Sequence, residues 1–167
     1  MSLIWPEIEN PNFMNNPQKI NQAGIDLIKR WESFRSRPYI CPAGIPTIGY
    51  GTITYPNGRK VTMQDKPITE AVATEYLMQY IEKHIYPGLN AALQVRLNDN
   101  RYAALCSFIY NLGIGAFRRS TLLKVINAAP GAPGIRDEFM KWNKANGKVL
   151  PGLINRRRSE ADLYFTV

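Results

Sequence analysis

The sequence predicts an α+β fold, mainly helical, with one small antiparallel β-hairpin in the N-terminal third. Three observations carry this reading. Apolar residues recur at helical spacing in a succession of segments after Ile20. Thr- and Tyr-rich runs interrupt them between residues 44 and 63. No internal repeat or heptad organises the chain as a whole. A length of 167 residues suits one domain, or two small lobes sharing a helix, that buries roughly 70% of its unfolded surface. With 45% hydrophobic and 20% charged residues the chain is neither disordered nor fibrous. No run approaches the ~18 uninterrupted apolar residues that a membrane span needs.

Residues 1–19, rich in Asn and Pro, read as an irregular N-terminal arm before a single domain over 20–167. Glu7 and Glu9, with no basic segment leading into an apolar core, argue against a secretory signal. Asn21 can cap a helix, with Ile20 and Ile25 at the staple positions around it. Its apolar stripe runs through Ile25, Ile28 and Trp31, widened by Leu27 and Phe34, and Glu32 falls on the edge of that face. The helix is expected to stop near Arg37, before Pro38. The runs GIPTIGYGTITY and RKVTM around Pro56, Asn57 and Gly58 read as a hairpin that must lean on helices.

Thr69 and Glu70 open a connecting helix, about 69–86, which Pro87 and Gly88 are expected to end. It separates about 20–68, which holds the hairpin, from about 87–167, which reads as helical. A helix from Asp99 is marked by Tyr102, Leu105, Cys106 and Ile109, and NLGIGAF breaks it. Ser120 caps a short helix through Ile126, and AAPGAPG is a turn. An amphipathic helix is expected over Ile135 to Ala145, with Phe139 and Trp142 at i,i+3. The last helix begins after Pro151 or Gly152 and carries Arg156, Arg157, Arg158 and Glu160.

A formal charge of +8 implies attraction to polyanions, whether nucleic acid, anionic lipid or an anionic cell wall, without choosing among them. Zinc-finger spacing and RRM signatures are absent, so no nucleic acid is required. His84 is the single histidine and has no Cys or acidic array beside it; a helix-end or surface role is its plain reading, and neither metal nor cofactor is expected. Cys41 and Cys106 make no disulfide framework, although one bridge stays open, and two cysteines suit a reducing compartment. Cys106 falls on a helix stripe as a small buried hydrophobe.

Glu32 is the first candidate for chemistry, because partial burial beside an apolar stripe can fit a carboxylic acid to proton donation. Position alone leaves a solvated or salt-bridged role open. The following stretch, ESFRSRPYICPAGIPTIGYG, places Cys41 nine residues and Thr47 fifteen residues after it. A helix end, a Pro-containing loop and a hairpin start can fold back so that acid, thiol and hydroxyl line one cleft.

Here the sequence resembles the phage-type lysozymes, the endolysin family. The family pattern is Glu, eight residues, Asp or Cys, five residues, Thr, then Ile-Gly-Tyr-Gly. The chain matches it at Glu32, Cys41, Thr47, Ile48, Gly49, Tyr50 and Gly51, with both intervals. The resemblance continues through NLGIGAFRRSTLL, EFMKW and GKVLPGLINRR, and so covers roughly residues 20–165. It implies a muramidase that cleaves the β-1,4 bond between N-acetylmuramic acid and N-acetylglucosamine in bacterial peptidoglycan, with inversion. It also implies a monomer held in the host cytoplasm and released to the wall by a separate membrane-permeabilising factor. Glu32 would donate the proton, and Cys41 and Thr47 would position or activate water.

Cys41 stands where Asp is frequent, so Arg35 and Arg37 are expected to favour its thiolate. The family's His after Ile-Gly-Tyr-Gly is Thr52 here. By resemblance, Arg156 or Arg157 approaches Glu32 and orients it. Tyr50 is the expected sugar-stacking ring, whereas Trp31, Phe34, Phe139 and Trp142 read as core, with Phe108, Ile109 and Tyr110 supporting the helical lobe. Positive charge suits approach to anionic envelope components. The competing readings are a lytic transglycosylase, which forms anhydromuramyl ends, and a non-catalytic basic module that binds cell wall or nucleic acid.

Overall fold

The computed structural model describes residues 17–167, so most of the expected arm, residues 1–16, lies outside the described residues. The tie-down begins two residues before Ile20. Gln18 is buried, donates to the Leu97 carbonyl at 2.6 Å and accepts from the Leu97 amide at 3.2 Å. Helix α1 (Gln22–Glu32) starts where Asn21 accepts from the Gly24 amide. It ends at Glu32, five residues short of Arg37, because Ser33 turns the chain at φ +58° while its amide caps the Lys29 carbonyl.

The strands correct the expected hairpin. Strand β1 (Arg35–Ile40) pairs antiparallel with β2 (Pro46–Gly49), matching Tyr39 to Thr47 and Ile40 to Pro46. Pro38 is a strand residue and not a helix stop: it sits where the register shifts between Arg35 and Tyr39, the kind of irregular site at which a residue without an N–H is tolerated. The turn over Pro56, Asn57 and Gly58 exists, but its flanks make only the isolated bridges Ile48 to Thr52 and Thr54 to Lys60. This lobe has its own small core of Ile48, Tyr55 and Val61, against which Ile68 and Tyr76 pack.

Helix α2 (Glu70–Tyr80) is capped by Thr69, as the sequence indicates. Pro87 and Gly88 do not end the helical path. A π-helical turn (Ile81–Ile85) lets the Tyr86 amide reach back to the Ile81 carbonyl, and α3 (Tyr86–Ala92) follows with Pro87 in its first turn, where its missing N–H is harmless. The chain then forms α4 (Asp99–Leu112), α5 (Ile114–Arg118), α6 (Thr121–Ala128), α7 (Ile135–Met140), a two-residue pair β3 (Lys144–Ala145) and β4 (Lys148–Val149), and α8 (Pro151–Phe165). Helix α7 is shorter than expected. Asn146 and Gly147 both hold positive φ, the demand of a tight primed hairpin turn, and Lys144 and Ala145 pair with Val149 and Lys148 instead of extending the helix.

The main core is built around α4, whose residues Tyr102 to Ile109 are all buried. Small Ala103, Ala104, Cys106 and Ser107 let neighbours approach on the sides that the stripe of Tyr102, Leu105 and Ile109 leaves uncovered. Helix α1 packs into this larger core through Ile28, so the small lobe's own core begins after it and not at residue 20. Phe108 receives Phe139 and Trp142 edge-on, each with its ring centroid at 5.6 Å. Helix α8 lies against α4 and α1, which brings the C-terminal basic cluster to the end of α1.

Gly24 marks the closest approach of α1 to α4: an added Cβ would stand 2.7 Å from the Ala103 Cβ and 2.7 Å from Ile20 Cγ1. Gly24→Ala would gain about 1 kcal/mol of helix propensity. Overpacking against a fixed Ala103 costs about 1–3 kcal/mol. The expected outcome of urea titration is a lower midpoint for Gly24→Ala; a raised midpoint would show that the two helices can separate freely.

Candidate active site

Glu32 is the last residue of α1, and the reversal at Ser33 directly after it fixes where its side chain can go. A positive φ at a residue with a Cβ costs of order 1–3 kcal/mol and persists only where surroundings enforce it. Glu32 lines a groove of about 830 Å³. One wall comes from the small lobe, with Gly51, Thr52, Thr54, Tyr55 and Lys60, and the other from α2 and the π-helical turn, with Tyr80, Lys83 and His84. Tyr110 and Asn111, at the end of α4, complete it.

The carboxylate of Glu32 is 21% exposed and is held from behind: Arg156 Nη1 donates to Oε1 at 2.7 Å. Of the two arginines that the sequence offered, Arg156 is the one that contacts Glu32. Arg157 does not reach Glu32 by hydrogen bond or ion pair. It is fully buried, donates to Asn111 Oδ1 at 2.7 Å and lies over the Phe108 ring at 5.0 Å. Desolvation lowers Arg157 to about 10, which leaves it a cation at neutral pH.

Behind both arginines stands Glu160, fully buried. Its Oε1 accepts from Ser107 Oγ at 2.8 Å, Arg156 Nε at 3.2 Å and Arg157 Nη2 at 3.2 Å, and its Oε2 faces Arg157 Nε at 2.9 Å. Burial pushes this carboxyl upward, while the two guanidiniums and the Ser107 hydroxyl pull it down. Each of these contacts comes from a donor, which is the geometry of an ionised carboxylate.

Tyr110 holds the front of the site. Its hydroxyl donates to the Tyr50 carbonyl at 2.6 Å, and its ring meets Tyr80 edge-on at 5.3 Å; Tyr80 in turn lies 4.7 Å from the His84 ring. Burial, with the negative charge of Glu32 added, pushes Tyr110 well above the ordinary phenol, so it stays a neutral donor. Gly51 has φ +88°, and a Cβ there would stand 3.5 Å from Glu32 Oε2, so a side chain would be strained and would crowd the carboxylate.

The structure brings Cys41 and Thr47 together in the β1–β2 hairpin. Cys41 is lowered from the ordinary thiol, chiefly by a hydrogen bond from the Ile45 backbone and next by one from the Thr47 side chain. These bonds, and not Arg35 or Arg37, are the cause; Arg35 instead stacks over Tyr39 at 5.1 Å. Thr47 is nearly fully buried, and its one hydroxyl proton has two acceptors in reach, the Cys41 sulfur and the Ile45 carbonyl at 2.9 Å. Neither Cys41 nor Thr47 lines the 830 Å³ volume. Tyr39 is the side chain within electrostatic reach of both Cys41 and Glu32. Both cysteines are free thiols, and Cys106 is wholly buried.

Tyr50 is a correction. It is only 2% exposed, packs in the main core and donates to Glu70 Oε1 at 2.5 Å, so its ring offers no face to a sugar. The groove's rings are Tyr55, Tyr76, Tyr80 and Tyr110. Sequence reasoning placed Tyr110 as lobe support and His84 as a helix-end residue, and it gave Glu160 no role. The signal for Glu160 was in NRRRSE: a carboxylate at i+4 from Arg156 and i+3 from Arg157, on a helix with almost no apolar face.

Comparison with known proteins gives one consistent answer. Residues 29–160 match the family model described as phage lysozyme. The chain is similar to an endolysin of Acyrthosiphon pisum secondary endosymbiont phage 1, 42% identical over 149 residues, covering 87% of this chain and 97% of that one. It is also similar to the endolysin of Salmonella phage P22, 35% identical over 89% of this chain and 99% of that one. Among solved structures, an endolysin from Escherichia coli O157:H7 phage FAHEc1 superposes with a TM-score of 0.81 at 38% identity, covering 90% of this chain and 95% of that one.

Asp65 secures the small-lobe wall. It accepts from Tyr55 Oη at 2.8 Å, Arg59 Nη1 at 2.9 Å, and the Thr62 amide and hydroxyl, each at 2.9 Å. The Arg59 bond first, then the Thr62 amide, hold its carboxyl well below the ordinary aspartate range. A depressed folded value means that the unfolded chain takes up the proton first as pH falls. The contribution is thus complete above about pH 5, starts to fall as pH drops through the unfolded value of about 3.9, and is lost in full only below the depressed folded value. Asp65→Asn is expected to lower the urea midpoint at pH 6, with the difference from the parent shrinking toward pH 3. A difference independent of pH would show that the Asp65 charge plays no part.

Proposed function

The chain belongs to the phage lysozyme family and is a peptidoglycan-hydrolysing lysozyme, and on that premise we propose that it is a muramidase in which Glu32 is the general acid. The scissile bond in this reading is the β-1,4 link between N-acetylmuramic acid and N-acetylglucosamine. The observation that carries it is a carboxyl at a helix end, at the edge of a long groove, oriented by a buried arginine. Glu32 gives its proton to the glycosidic oxygen as the sugar takes on oxocarbenium character. Arg156 keeps the carboxyl in one rotamer, so no orientation has to be found at the moment of transfer.

Water attacks the opposite face of the sugar, with inversion. Cys41 accepts its proton or orients it, which the lowered thiol favours, and Thr47 holds the sulfur in place through its hydroxyl. Direct attack by sulfur is disfavoured, because a thiolate supported by hydrogen bonds is a better acceptor and orienter than a group free to swing onto carbon. The +8 charge aids approach to an anionic envelope, an effect that weakens as salt rises. Among the described residues no helix is long and apolar enough to cross a membrane. The reading adds accumulation in the host cytoplasm as a monomer, with a separate factor that opens the way to the wall.

Glu32→Gln preserves shape and cannot donate the acid proton; wall lysis is expected to fall by a factor of about 10² or more in a protein that still folds. Near-normal turnover would reject the assignment. Cys41→Asp is expected to keep substantial activity and Cys41→Ala to lose most of it, whereas an Ala variant equal to the parent removes the thiol from the mechanism. Mass analysis of digested peptidoglycan separates the chemistries: free reducing ends support hydrolysis, and anhydromuramyl ends would assign the transglycosylase reaction instead.

A further inference from the structure

Two guanidiniums stand behind a single proposed acid, Arg156 in contact with it and Arg157 at longer range, and this poses an electrostatic problem. Positive charge close to a carboxyl favours its anion, the form that has no proton to donate. We infer that Glu160 is a positioning residue for the reaction: its buried carboxylate takes up one of the two charges on Arg156 and Arg157, so that Arg156 orients Glu32 while the arginine cluster presents it with one net positive charge and not two. The inference rests on Glu32 being the acid.

The geometry behind it is specific. Arg156 is divided among three acceptors, with Nη1 on Glu32, Nε on Glu160 Oε1 and Nη2 near the Ser107 carbonyl at 3.4 Å. Arg157 Nη1 is buried with no hydrogen-bond partner, and Glu160 is the one carboxylate paired with this guanidinium among the described residues. Ser107 Oγ, from α4, donates to the same Glu160 oxygen that both arginines use and so fixes it midway between them. The groups that face Glu32 are Arg156 and, at longer range, Arg157 from α8, Tyr39 from β1 and Tyr110 from α4. Both phenols are raised above their ordinary value and are neutral at neutral pH. Lys60 from the small lobe and Glu82, Lys83 and His84 from the π-helical turn line the same groove, while the charges behind Glu32 are the two arginines and Glu160. With Glu160 ionised, that cluster carries one net positive charge; with it neutral, it carries two.

The test is the pH dependence of kcat/KM on purified peptidoglycan for the full chain and for Glu160→Gln. A general acid sets the alkaline limb of such a profile. Removing the Glu160 charge is expected to move that limb to lower pH by about one unit or more. A folded Glu160→Gln protein that loses activity equally at all pH values, with the limb unmoved, would overturn the inference and leave Glu160 a structural residue. Should Glu160→Gln fail to fold, Ser107→Ala decides: losing the Ser107 donor weakens the ionised form of Glu160, so a smaller shift in the same direction is expected, and an unmoved limb overturns the proposal. Glu32→Gln is measured alongside. If it stays active, the acid assignment itself has failed; if it is inactive while the limb does not move in the other variants, only the role of Glu160 has.

Discussion

The contact on which the site depends is the ion pair between Arg156 on α8 and Glu32 at the end of α1. It joins residues 124 positions apart and crosses the seam where the first and last described helices meet α4. Burying a guanidinium costs several kcal/mol unless its donors are satisfied, so Arg156 cannot sit there alone. Glu160, Ser107 and Asn111 supply acceptors and a fixing donor for the pair of arginines, and α4 contributes two of these three residues. The polar network and the apolar core thus share one helix. Phe108 packs Phe139 and Trp142 with one set of contacts and meets Arg157 with another.

That arrangement explains the division of labour between the two walls. Glu32 and its support are held against the larger core from α1, α4 and α8. The small lobe, whose separate core is small, brings the opposite wall through loops fastened by polar contacts, above all Asp65 with Tyr55, Arg59 and Thr62. Tyr110 links the two by donating to the Tyr50 carbonyl, which holds the Tyr50–Gly51 backbone close to Glu32. Core packing on one side and polar fastenings on the other suit the proposed role of the groove, which asks for one carboxyl held fixed.

Much of this was legible in the residues. Asn21, Thr69, Asn98 and Ser120 cap their helices through hydrogen bonds local in sequence, so the starts of α1, α2, α4 and α6 could be located closely. The interval from Glu32 through Cys41 to Thr47, with the family resemblance it carries, directed attention to the end of α1, where Glu32 lines the groove. Endings were harder. Pro38 signals a helix stop, yet here it marks a strand irregularity; Pro87 signals another, yet the π-helical turn absorbs it. The Asn146–Gly147 turn was a readable hairpin signal, overridden by the apolar spacing of Phe139 and Trp142. Tyr50 and Glu160 were misjudged for a common reason. Burial of a polar side chain depends on partners distant in sequence, Glu70 for one and Ser107 for the other, and no local pattern reports them.

The central claim, that the carboxyl at position 32 faces the bond to be broken while Arg156 holds it, is most directly tested by a crystal structure of the inactive Glu32→Gln protein with a peptidoglycan glycan fragment bound. The account predicts a glycosidic oxygen within hydrogen-bond distance of the side-chain amide at position 32, Arg156 still in contact with that amide, and a water on the far face of the sugar held by Cys41. A fragment seated elsewhere in the groove, with no glycosidic oxygen near position 32, would contradict it.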